Sequence, residues 1–305
     1  MKSLLISHPD CARHAMDGHP ERPERLAAVM DRLESSGLVK DMEQISAREI
    51  SSSQLSLAHS ADYVNTVETS EVQNEVVRLD PDTFLGPGSL RAAKLAAGAV
   101  VQATEQVIQG ITKRAFCAIR PPGHHAELAA AMGFCIFNNI AVATRVALEN
   151  PAIKTVAICD FDVHHCNGTV DIFKDDERVL VCSSFQNQFY PHRYLDFTNE
   201  HIVNTPLEPG TEGLSFRHSI ENSWLAKLQE HKPDIIFISA GFDAHRDDPL
   251  AEICLLEDDY RWITGMITDL AENYSQGRIV STLEGGYNLE SLASSALAHV
   301  ERLCE

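Results

Sequence analysis

Asp160-Phe161-Asp162-Val163-His164-His165 places two carboxylates and two imidazoles within six residues. The apolar run Thr155–Cys159 leads into it, so the cluster sits where a buried strand surfaces. The carboxyl ends of strands are where open α/β sheets carry their chemistry. Residues two apart on a strand share a face, so Asp160, Asp162 and His164 are expected to point the same way. A carboxylate oxygen and an imidazole nitrogen together suit zinc or another borderline divalent ion.

Three more apolar runs end in comparable residues. Ala115–Ile119 is followed by Arg120-Pro121-Pro122-Gly123-His124-His125-Ala126. Ile235–Ser239 is followed by Ala240-Gly241-Phe242-Asp243-Ala244-His245, and Ile279–Leu283 by Glu284-Gly285-Gly286-Tyr287-Asn288. In a parallel sheet these strand ends lie along one edge, where the four clusters can meet. Asp162, His164 and Asp243 then make a three-ligand metal site with an open position, the pattern of a catalytic rather than a structural zinc. Such an ion activates water and polarises a carbonyl. One of His124 and His125 can take a proton from that water; the other can steer it or donate one to a leaving amine. Asp160 and Asn167 are the candidate acceptors that would orient the two imidazoles. Tyr287 can donate a hydrogen bond to a developing oxyanion. The set amounts to metal-assisted amide hydrolysis.

The elements that must position these residues read as alternating strands and helices. Strands are expected at Leu4–Ser7, Ala115–Ile119, Thr155–Asp160, Val179–Ser183, Ile235–Ser239 and Ile279–Leu283. Helices are expected at Pro23–Ser35, Ser89–Gln109, Asn138–Glu149, Leu214–Glu230, Asp258–Tyr274 and Leu289–Leu303, with Ser89 and Asn288 as capping signals. The alternation predicts an α/β fold whose mostly parallel sheet is covered on both faces. No linker or repeat divides the 305 residues, so 1–305 reads as one domain, with a mostly helical N-terminal quarter to about Leu79 packed at one side.

The formal charge of −19, from 25 basic and 44 acidic residues, argues against nucleic acid and anionic membranes as partners and favours cationic ligands. The eight cysteines include no CxxC pair, and several lie in apolar runs, which fits a reducing compartment. No apolar run approaches the roughly 20 residues of a membrane span, and the N-terminus lacks a signal-peptide core. A cytoplasmic protein is the expectation.

The stretches 120–126, Gly-Phe-Cys-Ile-Phe-Asn-Asn at 133–139, 160–165, Ser-Ala-Gly-Phe-Asp-Ala-His at 239–245 and Glu-Gly-Gly-Tyr-Asn at 284–288 resemble the zinc-dependent histone deacetylase superfamily. That superfamily also holds acetylpolyamine amidohydrolases and acetoin-utilisation proteins. His19-Pro20-Glu21-Arg22-Pro23-Glu24-Arg25-Leu26 matches its N-terminal motif, so the resemblance covers nearly the whole chain. It implies an arginase-like α/β fold around an eight-stranded parallel sheet. Asp162, His164 and Asp243 match the zinc ligands, and iron(II) is an alternative metal. His124 and His125 match the tandem catalytic histidines, Asp160 the acidic partner of the first, and Tyr287 the carbonyl-polarising tyrosine. Gly133 and Phe134 match one wall of an acyl-lysine channel and Tyr190 the facing wall. Asp160, Asp162, His164, Ser183 and Ser184 match a structural potassium site, and Arg25 an arginine in an internal cavity.

Several positions depart from the common pattern. Asn167 replaces the Asp found behind the second histidine in some members, as in class II enzymes, and should leave His125 less basic. Cys166 stands at a usual glycine position, where a thiol can pack, bind metal or be oxidised. Phe185 stands where a histidine is common. Leu250 matches a position that carries a Glu gatekeeper in polyamine-selective members, which points to an apolar rim. Asp80 and Asp82 lie where an acidic residue binds substrate backbone. The length without appended domains suggests a bacterial member. Acyl-lysine in a peptide or protein is the first expected substrate and an acylated polyamine or other small amide the alternative. A non-catalytic binding protein would have lost a ligand, a histidine or the tyrosine; an arginase would show two metal sites.

Overall fold

A computed structural model describes residues 2–70 and 75–305. Ten strands form, in chain order: β1 (Leu4–Ser7), β2 (Glu43–Ser46), β3 (Val77–Arg78), β4 (Phe84–Leu85), β5 (Arg114–Cys117), β6 (Val156–Asp160), β7 (Val179–Gln186), β8 (Ile202–Leu207), β9 (Ile235–Ala240) and β10 (Ile279–Leu283). The helices are α1 (Pro23–Ser36), α2 (Ser52–Leu55), α3 (Ala61–Ser70), α4 (Ser89–Ile108), α5 (Asn139–Glu149), α6 (Asn167–Phe173), α7 (Gly213–Ile220), α8 (Ala226–His231), α9 (Glu257–Tyr274) and α10 (Leu289–Cys304). β3 and β4 make a small antiparallel hairpin. The other eight strands form one sheet in the order β2-β1-β5-β10-β9-β6-β7-β8, parallel throughout.

This is the expected α/β architecture, and its central strands show why they were legible. β6, β9 and β10 are buried at every residue, so each reads as a continuous apolar run. The two edge strands were not expected. β2, Glu-Gln-Ile-Ser, is mostly exposed and has no apolar run. β8 carries Pro206, which a strand tolerates at a sheet edge because only one side of its backbone is paired. The N-terminal quarter is therefore less helical than expected: it supplies β1 and β2 to the sheet itself, and its residues 71–74 lie outside the described ones.

α1 packs on α10 and α10 on α9, while α4 packs on α5 and on β5 and β10. Asn288 caps α10, its Oδ1 accepting from the N–H groups of Glu290 and Ser291. Ser89 does not cap α4. Gly88 holds that position at φ 87°, and the Ser89 hydroxyl instead accepts from the Gly86 N–H and meets His14 Nδ1 at 2.8 Å. The helix expected over 214–230 forms as α7 and α8 joined by a π turn at Glu221–Leu225. Trp224 in that turn is fully buried and donates to Thr205 Oγ1 on β8, which ties the edge strand down. Among the described residues no helix is long and apolar enough to cross a membrane.

Candidate active site

β5, β10, β9 and β6 are consecutive neighbours in the sheet, so their carboxyl ends form one continuous rim. β6 stops at Asp160, and the next residues leave the strand, so simple alternation does not orient Asp162 and His164. Two successive turns do so instead. Asp160 Oδ1 accepts from the Asp162 N–H at 3.1 Å, and Asp162 Oδ1 accepts from the His164 N–H at 2.9 Å. Short acidic side chains favour such local bonds. They curl the chain inward and bring His164 Nδ1 within 3.0 Å of Asp162 Oδ1 and 3.1 Å of Asp243 Oδ2.

Asp162, His164 and Asp243 are buried, with candidate ligand atoms all within 4.8 Å of one another. Among the described residues this is the one group of three or more such side chains. Asp243 Oδ2 is buried and receives no hydrogen bond, a position that a cation would satisfy. The other oxygens are held from behind: Asp243 Oδ1 by the Val163 N–H and Asp162 Oδ2 by the Gly285 N–H. A Cβ on Gly241 would fall 2.1 Å from Asp162 Oδ2, and one on Gly285 2.1 Å from Asp243 Oδ2, so only glycine lets the two turns close around the carboxylates. Two carboxylates and one imidazole with an open side fit a catalytic divalent ion.

The tandem imidazoles lie with ring centroids 4.0 Å apart. His124 Nδ1 meets Asp160 Oδ2 at 2.9 Å, and His125 Nδ1 meets Asn167 Oδ1 at 2.6 Å. Asn167 must present its oxygen, because its amide nitrogen donates to Glu127 Oε1 at 2.7 Å. Glu127 in turn pairs with Arg193 at 3.0 Å. The environments push the two histidines in opposite directions. Burial disfavours a charged His124, yet Asp162 and Asp160 outweigh it and hold the group up at about 10. Burial pushes His125 well below its ordinary value, and the neighbouring imidazoles His124 and His164 add to that. Paired titratable groups driven apart are the pattern of divided acid and base roles.

Tyr287 sits beyond the Gly285-Gly286 turn, half-buried beside Arg25, whose guanidinium lies 4.8 Å from its ring centroid. Burial raises the phenol well above its ordinary value, so it remains a hydrogen-bond donor. Arg25 is fully buried and donates to the carbonyls of Gly286 and Glu284 and to Glu21 Oε1. Asp248 Oδ2 accepts from the Tyr287 N–H at 2.7 Å, and Asp248 Oδ1 from the Leu250 N–H at 3.0 Å.

A cavity of about 200 Å³ opens over these groups, lined by Asp82, His125, Gly133, Phe134, His164, Tyr190, Leu250 and Tyr287. Every residue read from the sequence as channel lining is on it. Gly133 and Phe134 both take positive φ, 55° and 68°, which turns Phe134 toward Tyr287 at 5.8 Å between centroids. Tyr190 meets the rings of His125 and His164 edge-on, at 5.3 and 5.9 Å. Asp82 Oδ1 is engaged by the Gly133 N–H at 3.1 Å. Asp80 lies behind it, its Oδ1 accepting from the Asp82 N–H, and does not line the cavity.

The residues matched to a potassium site lie at and beyond the end of β6 and in the middle of the adjoining β7: the β6–β7 register pairs Asp160 with Ser183, with Ser184 next, and all five are buried. Cys166 is fully buried just before α6, outside the ligand group, and burial raises its thiol well above its ordinary value. Phe185 packs edge-on against His165 at 4.8 Å. Four supporting residues were given no role in the sequence reading. Glu284 Oε2 clamps the N–H groups of Gly123 and His124 at 2.7 and 3.2 Å, and Arg120 pairs with Glu21. Glu127 and Asp248 hold Asn167 and Tyr287. Arg120 and Glu284 stand inside the quoted motifs and Glu127 and Asp248 just beyond two of them, but charged side chains near turns are ordinarily solvated, so no local signal marks them as supports.

Comparison with known proteins agrees with this arrangement. A histone deacetylase domain model matches residues 19–303. The chain is 35% identical to a histone deacetylase-like amidohydrolase of Pseudomonas aeruginosa, over 95% of this chain and 78% of that protein. It is 34% identical to the human polyamine deacetylase HDAC10, over 98% of this chain and 46% of the human protein. It spans about half the length of several curated relatives, 49% and 46% in two cases. The crystal structure of the HDA15 HD domain superposes with a TM-score of 0.94 at 35% identity, over 99% of this chain and 88% of that one. With the family motifs on four adjacent strand ends and the match running through nearly all of its length, the chain belongs to the histone deacetylase family.

Proposed function

We propose that residues 1–305 act as one catalytic domain that hydrolyses the amide of an acylated lysine ε-amine in peptides or proteins. The observation that carries this reading is the convergence, beneath one narrow cavity lined by His125, His164 and Tyr287, of the Asp162-His164-Asp243 group, two imidazoles with opposed proton affinities and a half-buried phenol. Zinc is the proposed ion for that group, with iron(II) the alternative, and when bound it would polarise the scissile carbonyl and make water a stronger nucleophile. Potassium is proposed for Asp160, Asp162, His164, Ser183 and Ser184. The six buried cysteines, all free, support a reducing, cytoplasmic setting.

The chain's own residues then divide the work. Phe134 and Tyr190 receive the alkyl stem and exclude water from it. Neutral His125, aimed by Asn167, takes the proton of the attacking water. His124, held toward its cationic form by the Asp162 and Asp160 carboxylates, stabilises the negative charge that builds up in the transition state. The Tyr287 phenol donates to the developing oxyanion. His125 then passes its proton to the departing amine, so the C–N bond breaks with release of a carboxylic acid and the peptide's lysine with its ε-amine free. The neutral orienter Asn167 suits a base that must give its proton back.

A second reading, an acylated polyamine as substrate, is favoured by the human relative's name and the net charge of −19. The apolar Leu250 at the rim favours the peptide. Turnover of an acetyl-lysine peptide against N-acetylputrescine and N-acetylspermidine, with zinc-loaded protein, decides between them. Faster peptide turnover supports the first reading; the reverse order supports the second; no turnover of either refutes both.

A further inference from the structure

Beside the cavity, and sharing Leu250 with it, runs a larger open groove of about 610 Å³. Phe189 and Pro249 give it an apolar floor, Glu208 and Glu252 stand exposed on it, and no lysine or arginine lines it. Neither glutamate has an ion-pair partner among the described residues; Glu208 only accepts from Asn187 Nδ2 at 2.8 Å. At its inner end lies Gln186, the last residue of β7 and only 3% exposed. Its Oε1 accepts from the Glu252 N–H at 2.8 Å, which fixes the amide so that Nε2 is the free end. That N–H₂ donates to no group among the described residues. Because Gln186 lines the groove, that free N–H₂ can donate to a ligand carbonyl seated there, and the two unpaired carboxylates attract a cation.

Resting on the acyl-amide hydrolase reading, we infer that this groove seats the backbone of a peptide on one side of the acylated lysine, with a basic side chain between Glu208 and Glu252. The free Gln186 amide selects peptide over polyamine. A protonated polyamine has donors only, so it can satisfy the glutamates but not Nε2. A peptide offers both the carbonyl and the cation. Because the groove leaves the cavity at Leu250, on one side of it, the preference belongs to one side of the acyl-lysine.

The test is kcat/KM for capped acetyl-lysine pentapeptides carrying Arg or Glu two residues away, on the amino or the carboxyl side. The wild type should favour Arg over Glu on one side only, by about tenfold, mainly through KM, as for exposed charge complementarity. In 0.5 M NaCl the ratio should shrink. In the double variant Glu208→Gln/Glu252→Gln, whose changes are at the surface, it should fall toward one. Gln186→Met should lose the advantage that a neutral pentapeptide has over a single acetyl-lysine amide. Turnover that ignores the flanking charge, or a ratio that survives the double variant, overturns the groove and leaves the hydrolase reading standing. No turnover of any acetyl-lysine substrate overturns both. N-acetylspermidine outperforming every peptide, with the same dependence on the two glutamates, would assign the groove to polyamines and overturn the inference.

Discussion

Gly133→Ala tests whether the placement of His125 governs turnover. Gly133 sits at φ 55°, and an added Cβ would stand 2.3 Å from His125 Cδ2 and 2.8 Å from its Cγ. Ordinary contact begins at 3.4 Å, so something must yield by about 1 Å. His125 has little room: its Nδ1 is tied to Asn167 at 2.6 Å, and its ring lies 4.0 Å from that of His124. Either the imidazole swings away from Asn167, or the 132–135 turn lifts and carries Phe134 off the cavity. Both move a reacting or positioning group by about the distance that costs roughly 10² in rate. The left-handed backbone adds about 1–2 kcal/mol of strain in the folded state, a loss of several degrees at most in Tm for a chain this size. The atoms nearest the new Cβ all belong to His125, so metal content should not change. Steady-state kinetics on an acetyl-lysine peptide, with metal analysis and a melting curve on the same sample, reads all three quantities. Turnover within threefold of wild type, with full metal, would refute the reasoning.

Other expected outcomes follow the same geometry. Tyr287→Phe should lower kcat by about 10²–10³ with metal retained, as for loss of one oxyanion donor; full activity in that variant would assign the carbonyl to another donor. Asp243→Asn should abolish stoichiometric zinc uptake in equilibrium dialysis, and a chelator should lower the Tm of wild type but not of the variant; full zinc binding by the variant would remove Asp243 from the ligand set. His299 is fully buried between Thr264 and Ser281, and burial pushes it down to about 3. Its folded value is below the unfolded one of about 6.5, so its contribution is present above pH 6.5 and is lost as pH falls toward 3. Between pH 7 and pH 5 that amounts to about 2 kcal/mol. Urea unfolding should show a pH slope steeper by that amount in wild type than in His299→Gln, and parallel curves would contradict it.

The strands and the chemistry of this protein were legible for one physical reason. A parallel strand buried on both faces must be apolar throughout, and the polar residues that break such runs mark where the chain leaves the core. Val156–Asp160 and Ile235–Ala240 show this, each ending within three residues of a metal-ligand candidate. The sheet's edges lack that constraint, and β2 and the proline-bearing β8 were invisible for that reason. Ser89 misled because a hydroxyl before a helix caps it only if the backbone there is extended, and Gly88 in the left-handed region took that place.

Residue types, their order and the motifs were enough to name the ligand candidates, both histidines and the tyrosine. Strand order was not written in them, and it is strand order that sets β5, β10, β9 and β6 side by side and makes four separate motifs one site. The supports were likewise decided in three dimensions. Glu284 reaches Gly123 and His124 across 161 and 160 residues, and Arg25 reaches Gly286 across 261. Contacts at such separations leave no local pattern in a chain, because the energy that selects them comes from burying a charged group beside its partner, and only the folded core creates that burial.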